Sequence, residues 1–208
     1  MGFYEDRILP TLIDVGCAME PAMALRRKLV PEASGRVLEV GMGSGINLAL
    51  YDPRRVEWVW GLEPSPGMRR KARGNIARSP VEVRLLDLPG EKIPLEDNSV
   101  DTVLLTFTLC TIPDWKAALS QMYRVMKPGG RLLFCEHGRA EDPAVYKWQE
   151  RITPLWKKCF GGCHLNRPIA DLIAVGGFGI DSLENFYLER GPKFVGYMYF
   201  GRAFKPGG

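Results

Sequence analysis

Arg36-Val37-Leu38-Glu39-Val40-Gly41-Met42-Gly43-Ser44-Gly45-Ile46-Asn47 is the stretch from which the fold can be read. Its first five residues are a short apolar run of the kind that forms a buried strand. Glycines at 41, 43 and 45 then turn the chain tightly and let its backbone approach a ligand without Cβ interference. A dinucleotide fingerprint would want glycine at 46, where this chain has Ile46. The pattern E-x-G-x-G-x-G suits instead a nucleoside carrying an amino-acid tail in place of a pyrophosphate. Glu39 then lies where a carboxylate meets a ligand ammonium, directly or through water.

Outward from this loop, apolar runs at 56–62, 81–86, 100–106 and 131–135 alternate with helical patterns at 66–78 and 115–126. That alternation is the sign of a mostly parallel sheet with helices on both faces. The second helix is capped by Asp114 and ends at Lys127-Pro128-Gly129-Gly130, read as a helix exit and turn. Glu63 closes the second strand 18 residues after Gly45, where an acid can accept hydrogen bonds from both hydroxyls of a ribose. Residues 6–29 form an amphipathic helical region, 143–160 a long helix interrupted by Pro154, and 180–188 and 194–203 two closing strands. No repeat or linker divides the chain, so 1–208 reads as a single domain. Within it, 1–35 is a helical lid, 36–138 a ligand-binding core, 139–170 a substrate cap, and 171–208 a closing helix and strands.

VLEVGMGSGIN, GLEPSPGM, GEKIPLEDNSVDTVLLTFTLCTIPD and RVMKPGGRLLFCEHG, in this order, resemble the class I S-adenosylmethionine-dependent methyltransferases. The resemblance is greatest to enzymes of the ubiquinone and menaquinone pathways, and it covers about 36–138. It implies a Rossmann-like α/β fold with a seven-stranded sheet whose last strand is antiparallel, and S-adenosylmethionine as cofactor. Carried onto this chain, Glu39, Gly41, Gly43, Gly45 and Asn47 would hold the methionine moiety, and Glu63 with Pro64 the ribose. Met68 would pack on the adenine and Gly90-Glu91 would sit at its edge. Pro89 stands where relatives often have an acid, and Glu91 is preferred over Asp87 for that contact. Thr106 and Phe107 would line the cofactor, and Tyr4 would close over it.

The acceptor is read by exclusion and from the last third of the chain. A net charge of +4 and the absence of a basic run interleaved with aromatics argue against nucleic acid. Thr106-Phe107-Thr108-Leu109 also replaces the Asn/Asp-Pro-Pro-aromatic segment typical of base-amino methylating enzymes. No stretch approaches the ~20 apolar residues that a bilayer span requires, and an odd set of five cysteines suits a reducing cytoplasm. A small-molecule acceptor is therefore expected. The only histidines, His137 and His164, fall in turns at the expected mouth of the sheet and are the candidate general bases. The segment EHG…WQ…ITPLWKK…GGCHLNR…GGF resembles bacterial relatives of the methyltransferase-like thiol methyltransferases, which implies S-methylation of a thiol. O- or C-methylation of a phenolic or quinone-type metabolite, and a non-catalytic S-adenosylmethionine-binding module, are the alternatives. Cys159, Cys163 and His164 would offer soft ligands to zinc or arsenic, but lack an obvious fourth ligand, and no metal is expected.

Overall fold

The computed structural model describes residues 4–189 and 191–207; residues 1–3, Arg190 and Gly208 of the expected domain lie outside them. Seven strands form one sheet: β1 (Gly35–Val40), β2 (Val56–Leu62), β3 (Glu82–Leu86), β4 (Val100–Thr106), β5 (Met126–His137), β6 (Gly179–Tyr187) and β7 (Tyr197–Phe204). Their order is β3-β2-β1-β4-β5-β7-β6, and β7 alone runs against the others. The chain winds outward from β1 to β3, then returns to lay β4 on the other side of β1. That reversal opens a crevice beyond the carboxyl ends of β1 and β4, the place where open α/β sheets bind ligands.

Alternation along the central strands explains why both faces are covered. Leu38, Val103, Leu105, Leu132 and Phe134 pack with α4 (Trp115–Val125) and α6 (Ile169–Val175). Their neighbours Val37, Leu104 and Leu133 point the other way, toward α2 (Glu20–Leu29) and α3 (Pro66–Ala77). A strand buried on both faces reads as a continuous apolar run, which is why VDTVLLT was legible. Asp114 caps α4 by accepting from the Ala117 N–H at 3.0 Å, and Ser65 caps α3 through the Met68 N–H.

Two local expectations are corrected and one is resolved in finer detail. Lys127-Pro128-Gly129-Gly130 is not a turn before the strand but an irregularity within β5. Met126 already pairs with Val100, and register resumes at Arg131 opposite Thr102. Lys205, just beyond β7, bonds Gly129 and Gly130 through its own C=O and N–H and holds the excursion to the sheet. The region 6–29 is a π-helical turn (Tyr4–Ile8) followed by two helices, α1 (Leu9–Cys17) and α2. They separate at extended Met19, because Pro21 can start a helix but not continue one. Finally, α5 (Pro143–Cys159) runs through Pro154 without interruption.

Candidate active site

A cavity of about 360 Å3 lies at the carboxyl ends of β1, β2 and β4, a size suited to a small ligand. Gly41 and Gly43 contribute from the glycine loop, Glu63, Pro64 and Met68 from the β2–α3 turn. Gly90, Glu91, Thr106 and Phe107 complete the wall on the β4 side. Glu91, and not Asp87, is on the wall; its carboxylate accepts from the Asp114 N–H at 3.3 Å. Leu9, Ile13, Asp14 and Cys17 of α1 form the roof.

The residues present fit S-adenosylmethionine. Gly43 has φ of +62°, and a Cβ built there meets nothing nearer than the Gly41 carbonyl oxygen at 4.0 Å, so it would project into open space on the wall. A loop that needs glycine without needing the room for packing is a cradle for something else. Glu63 is buried and accepts one N–H at each carboxylate oxygen, from Gly43 at 2.9 Å and from Ser65 at 2.8 Å. Each oxygen keeps a further lone pair for a hydroxyl. Burial raises the Glu63 pKa, and the two backbone N–H groups and Arg69 only partly oppose that.

Behind the glycine loop lies a buried polar network. Arg26 of α2 donates through Nη1 to Asn47 Oδ1 at 2.8 Å and to Thr106 Oγ1 at 2.6 Å. Asn47 Nδ2 donates to Glu39 Oε1 at 2.8 Å, and the Tyr51 hydroxyl donates to Glu39 Oε2 at 2.7 Å. Glu39 is fully enclosed; desolvation raises its pKa against the pull of these donors and of Arg26. Neither Glu39, Asn47 nor Gly45 lies on the cavity wall. They sit one layer back and hold the loop and Thr106, because Glu39 on β1 points into the layer occupied by α2 rather than out of the strand end.

The two candidate bases also lie off the wall. His137 is buried behind Phe107, with ring centroids 6.5 Å apart, and its Nε2 is 3.1 Å from Cys163 Sγ. Burial disfavours charge on His137, but Cys163 outweighs it and leaves the imidazole pKa raised. His164 Nδ1 faces the Cys110 carbonyl at 3.2 Å, and burial lowers its pKa. Neither imidazole reaches the cavity wall. Tyr4 is exposed and off the wall; its hydroxyl donates to the Cys159 carbonyl at 2.6 Å and ties the N-terminal turn to the end of α5. The set Cys159, Cys163 and His164 does not assemble, since Cys159 is exposed at the end of α5.

Several site residues carried no recognised signal. Asp14 of α1 bonds the Ser44 hydroxyl and lies 3.3 Å from Lys71 Nζ, pinning the roof to the glycine loop. Glu136, buried, accepts from the Thr108 N–H at 2.7 Å and the Cys110 N–H at 3.4 Å, fixing the loop after β4. An acid inside the otherwise apolar RLLFCEH was the available clue. Phe107 has φ of +57°, a strained conformation for a bulky residue that the Arg26 guanidinium, 5.2 Å from its ring, and His137 hold from two sides.

A family profile described as a methyltransferase domain matches residues 38–134. Human thiol S-methyltransferase TMT1A is 34% identical over 180 residues, covering 84% of this chain and 72% of that protein. The chain belongs to the S-adenosylmethionine-dependent methyltransferases. The methyltransferase is also 37% identical over 107 residues to the ubiquinone/menaquinone biosynthesis C-methyltransferase UbiE of Geobacter sulfurreducens, covering 49% of this chain but 41% of that one. Among solved structures, Haemonchus contortus phosphoethanolamine N-methyltransferase 2, in complex with phosphomonomethylethanolamine and S-adenosylhomocysteine, superposes with a TM-score of 0.66 at 19% identity. That superposition covers 88% of this chain and 52% of that one, and it shows the shared fold. Among the described residues, no helix of the methyltransferase is long and apolar enough to cross a membrane.

Proposed function

We propose that this methyltransferase methylates the sulfur of a small, largely apolar thiol. The observation that carries the reading is the make-up of the wall: among the described residues it holds no imidazole, and the apolar Leu9, Ile13, Phe107 and Ile112 line it beside Asp14, Arg26, Glu63 and Glu91. An acceptor in such a site is offered no histidine base. A thiol has a pKa of ~8.5 and reacts well as its thiolate, whereas a phenol at ~10 or a ring carbon needs a placed base. Relatives named thiol S-methyltransferases at 34% identity support the same choice.

When bound, S-adenosylmethionine supplies a methyl group on a positively charged sulfur. The chain's part is to bind, orient and dry the site. Gly41 and Gly43 would admit the amino-acid end at the loop, and Glu63 would receive the ribose hydroxyls. Met68 would pack against the base, and Glu91 would accept at its edge. Thr106 and Phe107 set the wall from which the acceptor approaches; Arg26, on the same wall, bonds Thr106 and sits over the Phe107 ring, and Glu136 fixes the loop that follows through Thr108 and Cys110. We assign α1 the part of lid, because five of its residues, Leu9, Pro10, Ile13, Asp14 and Cys17, line the cavity. Segment 139–170 contributes Gly161 to the wall and otherwise braces α1. An acceptor thiol would lose its proton to solvent and lie against Phe107, within reach of the methyl group that the bound cofactor would supply. A roofed cavity of this size favours a metabolite over a nucleic-acid strand, and the unbridged cysteines suit a reducing compartment such as the cytoplasm.

The test is S-adenosylhomocysteine release across thiols, phenols, amines and a demethylated quinol. Turnover confined to thiols, rising with pH as the free thiol ionises, is the expected result. Turnover with the phenols or quinol and none with thiols would replace the reading with O- or C-methylation.

A further inference from the structure

Cys110, His137 and Cys163 come from three separate parts of the chain and meet in one place. Cys110 lies in the loop after β4, His137 ends β5, and Cys163 follows the glycine pair that terminates α5. Their ligand atoms all lie within 4.8 Å of one another, and the three residues are 1%, 7% and 8% exposed. In a tetrahedral zinc site with bonds of ~2.3 Å to sulfur and ~2.0–2.1 Å to nitrogen, the donor atoms sit roughly 3.6–3.8 Å apart. The trio is therefore within about an ångström of that geometry, and the 3.1 Å between His137 Nε2 and Cys163 Sγ needs only to widen.

The surroundings are built rather than accidental. Both cysteine loops are fixed to each other, since the His164 N–H donates to the Cys110 carbonyl at 2.9 Å. Glu136 holds the Cys110 N–H from the other side, and Gly161 and Gly162, with φ of +59° and +85°, give the sharp turn that aims Cys163 inward. The His137 imidazole has a thiol sulfur as its one partner, and its buried Nδ1 has none. Buried polar groups are ordinarily satisfied; a metal ion would take the place of the thiol as the partner of Nε2, with the ring proton on Nδ1.

We propose that Cys110, His137 and Cys163 bind one zinc ion, with the fourth coordination position left to an exogenous ligand. Two thiolates and an imidazole are a soft to borderline donor set without a carboxylate, which selects zinc over magnesium, calcium or manganese. Three protein ligands are the count of an open site rather than a closed structural one. The ion lies behind Phe107, so it stiffens the wall of the methyl-transfer cavity from outside. This assignment does not depend on which acceptor the enzyme uses.

The experiment uses the full-length protein, purified under reducing conditions and shown by calorimetry to bind S-adenosylhomocysteine. Zinc content is measured first, and cobalt is then titrated into the metal-free protein while the thiolate-to-cobalt charge-transfer band is followed. One zinc per chain, and a cobalt band that saturates at one equivalent, are expected. Cys163→Ser and His137→Gln should each abolish the band, while Cys159→Ser, at an exposed thiol four positions from Cys163, should keep it. Where a variant fails to fold, the wild-type titration still decides. Wild-type protein that binds S-adenosylhomocysteine yet gives no charge-transfer band overturns the proposal. So does a band that survives both Cys163→Ser and His137→Gln.

Discussion

Replacing Gly43 by alanine separates what the glycine loop does for the fold from what it does for the cofactor. The backbone there has φ of +62°, which costs an L-residue roughly 1–2 kcal/mol. Alanine also lowers the entropy of the unfolded chain, returning about 0.4–1 kcal/mol. No protein atom lies closer than 4.0 Å to the new Cβ, so no packing cost is added. The net loss is therefore about 0.5–1 kcal/mol, which lowers Tm by about 1–4 °C for a domain of this length. The same methyl group stands in the space assigned to the methionine moiety, and S-adenosylhomocysteine should bind at least about tenfold more weakly, ~1.4 kcal/mol. Gly41→Ala is the control with the opposite balance. Its φ is +69°, and the built Cβ lies 2.5 Å from the Thr108 hydroxyl oxygen, so overpacking of about 1–3 kcal/mol joins the backbone strain. Differential scanning calorimetry gives both Tm values and isothermal titration gives both affinities. If Gly43→Ala binds S-adenosylhomocysteine within about twofold of wild type, the loop is not the cradle, whatever its stability.

Three further outcomes follow from the same geometry. Arg26→Met removes the guanidinium nearest the enclosed Glu39 and should cost about 3 kcal/mol in urea unfolding, with Arg26→Met/Glu39→Gln recovering part of it; equal stability of the single and double variants would show that the two are not coupled. Cofactor affinity should fall as pH drops through the Glu63 pKa, because burial raises it and only the ionised carboxylate accepts from both hydroxyls. The sign follows from linkage: ribose binding favours the charged form, so affinity is full above that pKa and lost below it, starting at a higher pH than for a free carboxylate. Titration calorimetry across pH checks it, and an unchanged dissociation constant down to the ordinary carboxylate range refutes it. Asp14→Ala frees α1 from Ser44 and Lys71 at partly exposed positions; it should cost under about 1 kcal/mol of stability and yet speed S-adenosylhomocysteine release in stopped-flow measurements.

What could be read in the chain and what could not divides along a physical line. The central strands were legible because burial on both faces leaves an uninterrupted apolar run, and α4 because its Asp114 cap is a chemical signal at a fixed offset. The place of the glycine loop beside Glu63 was legible because the spacing is local: a turn of fixed length brings Gly43 and Glu63 together. The Lys-Pro-Gly-Gly segment misled, because its turn composition is equally that of an irregular strand start, and only Lys205, 75 residues or more away in the chain, decides between them.

The histidines misled for a different reason. Sequence position put His137 at the end of β5, and that is where it lies. A strand end fixes where the backbone goes but not which side of the next wall a ring takes. Phe107, held at positive φ by the carbonyl of Cys135 and by Arg26 above its ring, occupies the cavity side, so His137 is left the inner side with Cys110 and Cys163. The partners that make the imidazole unusual stand 27 residues before it and 26 after it, with nothing in local spacing to join them. One buried arrangement thus accounts for both departures from expectation: the wall lacks its base because the histidine expected there belongs to a cysteine pair behind it. The proposed thiol acceptor is consistent with that wall, because a thiol ionises at a pH where a phenol does not.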